Sequence, residues 1–220
     1  MRHAYFDQLD TIVDDLVAMT HQVQEAVVLS TRALLTADGA IAEKVISDDA
    51  ALDAARERVE NKSFELLALQ QPVASDLRML VAGLRMVADL ERMGDLSVHV
   101  AKVARLRIPE IAVPVEMVPT IERMALVAEK MVGRVALIIA ERDVEGARKL
   151  EEDDEEMDAL RSSSFRLMLA DSWTHGVEPA VDIALLGRYY ERIADHAVSL
   201  ARRLVYLVTG EHVSLADQAI

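Results

Sequence analysis

Four pairs of acidic residues, each pair separated by four positions, are the side chains of this sequence best suited to chemistry. They are Asp49 and Asp53, Glu91 and Asp95, Asp154 and Asp158, and Glu191 and Asp195. On a helix, residues four apart lie on one face about 6 Å apart, so each pair holds two like charges together at an energetic cost. Carboxylates that converge from neighbouring helices are the ligands that Mg²⁺, Mn²⁺ and iron prefer. The spacing therefore makes these eight residues candidate metal ligands.

Arginine offers a different way to offset the same repulsion. Arg92 and Arg192 directly follow two of the acids, and Arg56 and Arg161 fall on the same helix faces within one turn. The other charged residues of these segments lie on the same side of each helix. A solvent-exposed face, on which arginines balance the acids, is thus the alternative interpretation of the spacing.

The elements that must position these residues are six long helices. Apolar residues recur at helical spacing, and Asp38-Gly39, Pro72, a proline-rich stretch, Arg142-Asp143 and His175-Gly176 separate the segments. The pattern predicts a first helix of about 30 residues that ends at Asp38-Gly39. The other predicted helices cover about 40–71, 73–107, 115–140, 143–173 and 177–208.

The two halves of the chain show an internal repeat. Shifted by 100 positions, 91–104 matches 191–204 at five of fourteen residues, and shifted by 105, 38–53 matches 143–158 at six of sixteen. Each half then contains three helices and two of the acidic pairs. We predict a first three-helix repeat over 1–108 and a second over 115–212. A proline-rich linker with the start of the fourth helix at 109–119 joins them, and 213–220 forms a C-terminal tail.

Composition supports an all-α protein and limits its partners. Of 220 residues, 52% are hydrophobic but only 4% aromatic, which suits helix-on-helix packing better than sheets. The net charge of -14 disfavours nucleic acid and anionic membrane surfaces. The absence of cysteine excludes disulfides and thiolate sites. No apolar run reaches the roughly 18 residues that span a bilayer, so we expect a soluble, cytoplasmic protein without membrane insertion.

Common catalytic and cofactor motifs are missing from the sequence. No two of the eight glycines lie within five residues of each other, which excludes a dinucleotide fingerprint and a phosphate-binding P-loop. No glutamate stands three residues before a histidine, as ferritin-like di-iron proteins require, and no HExxH sequence occurs. We therefore predict no catalytic and no organic cofactor-binding residues.

Four sequence motifs, two in each half, resemble those of the PhoU family of phosphate-system regulators. They are PVASDLRML at 72–80, DLERMGD at 89–95, YYERIADHA at 189–197 and YLVTGE at 206–211. The resemblance spans essentially the whole chain. It implies an all-α fold of two tandem, internally duplicated three-helix bundles, in agreement with the repeat.

The resemblance also implies a function and a set of ligands. PhoU proteins use their E(D)xxxD motifs to hold iron, manganese, magnesium or zinc, which places Asp49, Asp53, Glu91 and Asp95 in one metal site. Asp154, Asp158, Glu191 and Asp195 would form the other. The family is not enzymatic, often dimerises, and represses the phosphate-starvation response. It links the ATPase subunit of the high-affinity phosphate transporter to a phosphate-responsive sensor histidine kinase.

The sequence departs from the family pattern beside each acidic motif. His99 and Ser199 stand where the family usually has asparagine, and Lys102 and Arg202 stand where glutamate is common. These basic residues would weaken a bound metal or replace it with ion pairs. Two other functions stay open: a metal-dependent hydrolase of phosphate esters that uses the carboxylate clusters, and a structural helical scaffold.

Overall fold

The computed structural model describes the backbone of residues 2–211 and the side chains from Tyr5 onward. Met1 and 212–220, which include the predicted C-terminal tail, lie outside the described residues. The described chain forms six helices and no strand, which confirms the all-α prediction. The helices are α1 (Arg2–Thr36), α2 (Gly39–Gln70), α3 (Ser75–Arg107), α4 (Val118–Glu141), α5 (Val144–Met168) and α6 (Val177–Thr209).

Each half is a three-helix bundle, and the two bundles pack side by side. In the first half α1, α2 and α3 contact one another, and in the second half α4, α5 and α6 do the same. Between the halves, α1 packs on α4 and α3 packs on α6, so these four helices form the centre while α2 and α5 flank it. The buried apolar side chains form one cluster that extends through both halves.

The turns that begin α2 and α5 have the same structure at repeat-related positions. Ala37 and Arg142 adopt left-handed backbone conformations with φ of 50° and 53°. Asp38 and Asp143 follow them as N-caps, and their carboxylates accept hydrogen bonds from the backbone N–H of Ile41 and Gly146. Each cap satisfies a helix N–H that has no partner within the helix, so these turns fix where both flanking helices start.

The fifth helix is shorter than predicted. The periodicity extends it to Trp173, but the structure ends it at Met168. Tight turns follow, in which Ala170 N–H bonds to the Leu167 carbonyl and the Trp173 indole N–H donates to the Gly176 carbonyl over 2.8 Å. None of the helices in the described chain combines the length and hydropathy needed to cross a bilayer.

Candidate metal centres

The first acidic cluster lies where α2 packs against α3. Asp49 and Asp53 project from α2, and Glu91 and Asp95 project from α3. Burial, followed by the charges of Asp95 and Asp53, raises the pKa of Asp49. Burial and the neighbouring Asp95 likewise raise the pKa of Glu91. The four carboxylates therefore lie close enough for their charges to oppose one another, as the spacing and the repeat predict.

The second cluster lies at the repeat-related place, between α5 and α6. Burial, followed by the charges of Asp195, Asp158 and Glu191, raises the pKa of Asp154 to about 6. Burial and Glu191 also raise the pKa of Asp195. The Oδ1 atom of Asp154 is buried and has no hydrogen-bond partner among the described residues. A buried carboxylate oxygen without a donor costs free energy, and a cation would remove that cost.

Arginines surround the second cluster more tightly than the first. One carboxylate oxygen of Glu191 forms an ion pair with Arg161 at 3.1 Å, and the other forms an ion pair with Arg188 at 2.5 Å. Arg202 donates a hydrogen bond over 2.6 Å to Glu151, which is not one of the four predicted ligands of this cluster. In the first cluster Arg92 contacts Asp95 at 3.1 Å, while Arg56 pairs with Glu60. Arginine thus balances part of each cluster, but Asp154 keeps an oxygen that arginine does not reach.

The oxygen donors of both clusters fit hard cations such as Mg²⁺, Mn²⁺ and iron. Within the part of the chain that the structure describes, no three Asp, Glu or His side chains are arranged as ligands of one ion. Each cluster consequently places suitable ligands on two packed helices, but its carboxylate groups lie further apart than ligands of one ion do.

Buried charges also connect α3 with α6, outside both clusters. Asp89 is only 8% exposed and accepts hydrogen bonds from His196 at 3.0 Å, Ser199 at 3.2 Å and Arg203 at 2.7 Å. Burial alone would raise the pKa of Asp89, but the bonds from His196 and Arg203 outweigh it and lower the pKa. Toward the other end of the same seam, Arg107 bonds to buried Asp182 over 2.6 Å.

Two segments of the chain, residues 16–104 and 121–204, each match the model of the PhoU domain. They coincide with the two halves that carry the acidic clusters. The chain belongs to the PhoU family.

Known PhoU proteins resemble this chain along nearly its whole length. The "phosphate-specific transport system accessory protein PhoU homolog 2" of Mycobacterium tuberculosis is 43% identical, covering 96% of this chain and 99% of the relative. Homolog 1 of Mycobacterium leprae is 42% identical over 96% of this chain and 95% of its own length. The crystal structure of the phosphate transport system regulatory protein PhoU from Streptococcus pneumoniae aligns with a TM-score of 0.86 at 25% identity, covering 96% of this chain and all of that one. These similarities confirm the resemblance inferred from the motifs.

The sequence did not predict the buried seam between the two PhoU repeats. Asp89, His196 and Arg203 fall on the helix arcs that the alternative interpretation assigned to solvent, yet Asp89 is 8% exposed. One feature of the sequence points to the seam. At a shift of 100 positions, Asp89 corresponds to Tyr189, and His99 corresponds to Ser199. Ser199 donates a hydrogen bond to Asp89, and the rings of His99 and Tyr189 stack with their centroids 5.3 Å apart. The departures at His99 and Ser199 therefore lie in the contact between the repeats.

Proposed function

We propose that this protein is a cytoplasmic regulatory adaptor of phosphate homeostasis and not an enzyme. It represses the two-component phosphate-starvation response when phosphate is plentiful and modulates high-affinity phosphate uptake. Membership of the PhoU family supports this proposal, as does the description of its relatives as accessory proteins of a phosphate-specific transport system. The partners that it would contact are a phosphate-responsive sensor histidine kinase and the ATPase subunit of the phosphate transporter.

Metal binding at the two acidic clusters is the second part of the proposal. The observation that carries it is the buried Oδ1 of Asp154, which has no donor in the described chain and lies among three further carboxylates. Iron, manganese, magnesium or zinc would supply positive charge to Asp154, Asp158, Glu191 and Asp195. Asp49, Asp53, Glu91 and Asp95 would hold the ion of the first repeat.

The residues around each cluster have a structural part in this mechanism. Ion pairs with Arg161 and Arg188 fix the side chain of Glu191 between α5 and α6, and an ion pair with Arg92 fixes that of Asp95 on α3. The bundles provide a rigid scaffold, and partners dock on helical faces. Neutralising the carboxylates changes the charge of these faces, and thereby which surface is presented to a partner.

We also propose that the protein forms a homodimer. Exposed apolar side chains near the starts of α3 and α6, which lie at opposite ends of this antiparallel helix pair, support apolar contacts between copies. Val73, just before α3, and Val177, the first residue of α6, are 74% and 80% exposed, and Leu77 and Val181 lie four positions further along the chain.

The metal content of purified variants tests the ligand assignment. We expect Glu91→Ala to lower the metal bound per chain in the first repeat and Glu191→Ala to lower it in the second, with additive losses in the double variant. Glu65→Ala removes an exposed glutamate of α2 about three turns away from Asp53 and is the matched control. Elemental analysis of the full-length protein measures the content. If both cluster variants keep the metal content of the wild type, the assignment is wrong.

Expression of a phosphate-starvation reporter tests the regulatory role separately. In ample phosphate, cells lacking the protein should express the reporter strongly, and complementation with the wild-type chain should silence it. A reporter that is silent with and without the protein would contradict repression.

A further inference from the structure

A cavity opens between α1 and α2 of the first repeat and reaches α3. It encloses 190 Å³, and buried Val45, Leu52 and Val98 line its inner wall together with partly buried Leu29. Typical small-molecule pockets are larger, at about 300–1,000 Å³. The cavity thus has room for one large apolar side chain, and it opens along the groove between the two helices.

Glycine at position 94 lets Leu52, one of the lining residues, pack directly against the backbone of α3. A Cβ at Gly94 would collide with the side chain of Leu52. At a shift of 100 positions the second repeat has Ala194, which is fully buried. The two repeats therefore differ in how closely the flanking helix can approach the third helix of its bundle at this position.

Ion pairs cross the equivalent groove of the second repeat. A shift of 105 positions, which aligns Asp38 with Asp143, places Arg134 at the position of Leu29 and Glu156 at the position of Ala51. Arg134 pairs with Asp153, and Arg123 pairs with Glu156 over 2.9 Å, so both pairs join α4 to α5. The first repeat has an apolar residue at each of these two positions, and the pair that crosses its groove beside the cavity is the longer contact of Lys44 with Glu25 at 3.8 Å.

The mouth of the first-repeat cavity is acidic. Glu25, Asp48 and Asp49 surround it. Lys44 pairs with Asp48 at 2.6 Å and with Glu25 at 3.8 Å, and the charge of Lys102 offsets part of the rise in the pKa of Asp49, so three carboxylates face two lysines. The groove of the second repeat instead contains equal numbers of basic and acidic side chains, namely Arg123, Lys130 and Arg134 with Glu129, Asp153 and Glu156.

We propose that the α1–α2 groove of the first repeat docks a basic amphipathic helix of a protein partner. One large apolar side chain of that helix enters the cavity, and lysines or arginines beside it meet Glu25, Asp48 and Asp49. An apolar cavity of side-chain size, an excess of negative charge at its mouth and an open groove between helices together select this occupant. The inference is independent of the phosphate role, and it shares one residue, Asp49, with the metal ligands proposed for the first repeat.

A labelled model peptide tests the proposal with the full-length protein. The probe is a fluorescein-labelled, alanine-rich helical peptide of about 16 residues with leucines at i and i+4 and lysines at the positions that flank them. We expect saturable binding by fluorescence anisotropy. Leu29→Arg should weaken it about tenfold or more, because the arginine fills the groove and pairs with Asp48 as Arg134 pairs with Asp153.

Val28→Arg is the matched control. It adds the same charge one residue away, at an exposed side chain that does not line the cavity, and should change the affinity by less than about twofold. If Leu29→Arg fails to fold by circular dichroism, Ala51→Arg replaces it, since Ala51 is exposed at the mouth and an arginine there repels the lysines of the peptide. A peptide with serines in place of the leucines should bind the wild type weakly. The proposal would be overturned if the peptide does not bind the wild type, or if Leu29→Arg binds it as tightly as the wild type does. It would also be overturned if Leu29→Arg and Val28→Arg weaken the binding equally.

Discussion

Asp89 shows how one buried charge is made compatible with a helical core. Its carboxylate is withdrawn from water, which alone would be strongly unfavourable, but His196, Ser199 and Arg203 together supply three donors. Each donor comes from α6, whereas Asp89 belongs to α3. The cluster thus specifies one register of α3 against α6, because a shift of either helix would leave the carboxylate without partners.

Replacing Asp89 with asparagine should destabilise the protein. The amide keeps the size of the side chain but removes the negative charge opposite Arg203 and His196, so we expect a loss of about 2 kcal/mol in the free energy of unfolding. Urea unfolding followed by circular dichroism measures it. Asp48→Asn removes an exposed partner of Lys44 and should cost less than about 0.5 kcal/mol. Equal effects of the two variants would contradict the role assigned to Asp89.

At the scale of elements, the six helices and their repeat were predictable because they depend on local patterns. Apolar periodicity gives each helix its buried face. Acids four residues apart then share one side of their helix, which is also a local property of the sequence. The burial of Asp89 was not predictable in this way, since it depends on which helix packs opposite α3. The end of α5 was missed for a related reason, because its stop at Met168 depends on turns that involve Trp173 and Gly176.

The paired N-caps give an element-scale prediction. Asp38→Ala and Asp143→Ala each leave a first-turn N–H of α2 or α5 without its acceptor, so each should lower the free energy of unfolding by about 1 kcal/mol. The two caps begin different helices in different repeats, so their effects should add. Asn caps helices about as well as Asp, and Asp38→Asn and Asp143→Asn should therefore stay close to the wild type. Chemical denaturation of the wild type, the four single variants and the double alanine variant provides the comparison, and strongly non-additive losses in the double variant would argue against independent caps.

At the scale of the whole molecule, the contacts between the repeats should make the two bundles unfold together. One apolar cluster extends through both halves, the seam between α3 and α6 contains buried ion pairs, and the fully buried Tyr190 hydroxyl meets that of Thr31 on α1 at 2.8 Å. Separating the halves would expose this apolar surface and leave Asp89 and Asp182 without their partners. Neither bundle therefore has a low-energy way to unfold alone.

Two probes, one in each repeat, can measure this cooperativity. Trp173 is the single tryptophan and reports on the second repeat, and because the chain has no cysteine, Ala50→Cys gives a unique labelling site on α2 of the first repeat. We expect the tryptophan fluorescence and a dye on position 50 to show the same urea midpoint, coincident with the loss of helical circular dichroism. Asp89→Asn should lower all three midpoints together, although Asp89 belongs to the first repeat, because its partners are in the second. A lower midpoint at position 50 alone would show that the first bundle unfolds independently, and that the seam does not couple the repeats.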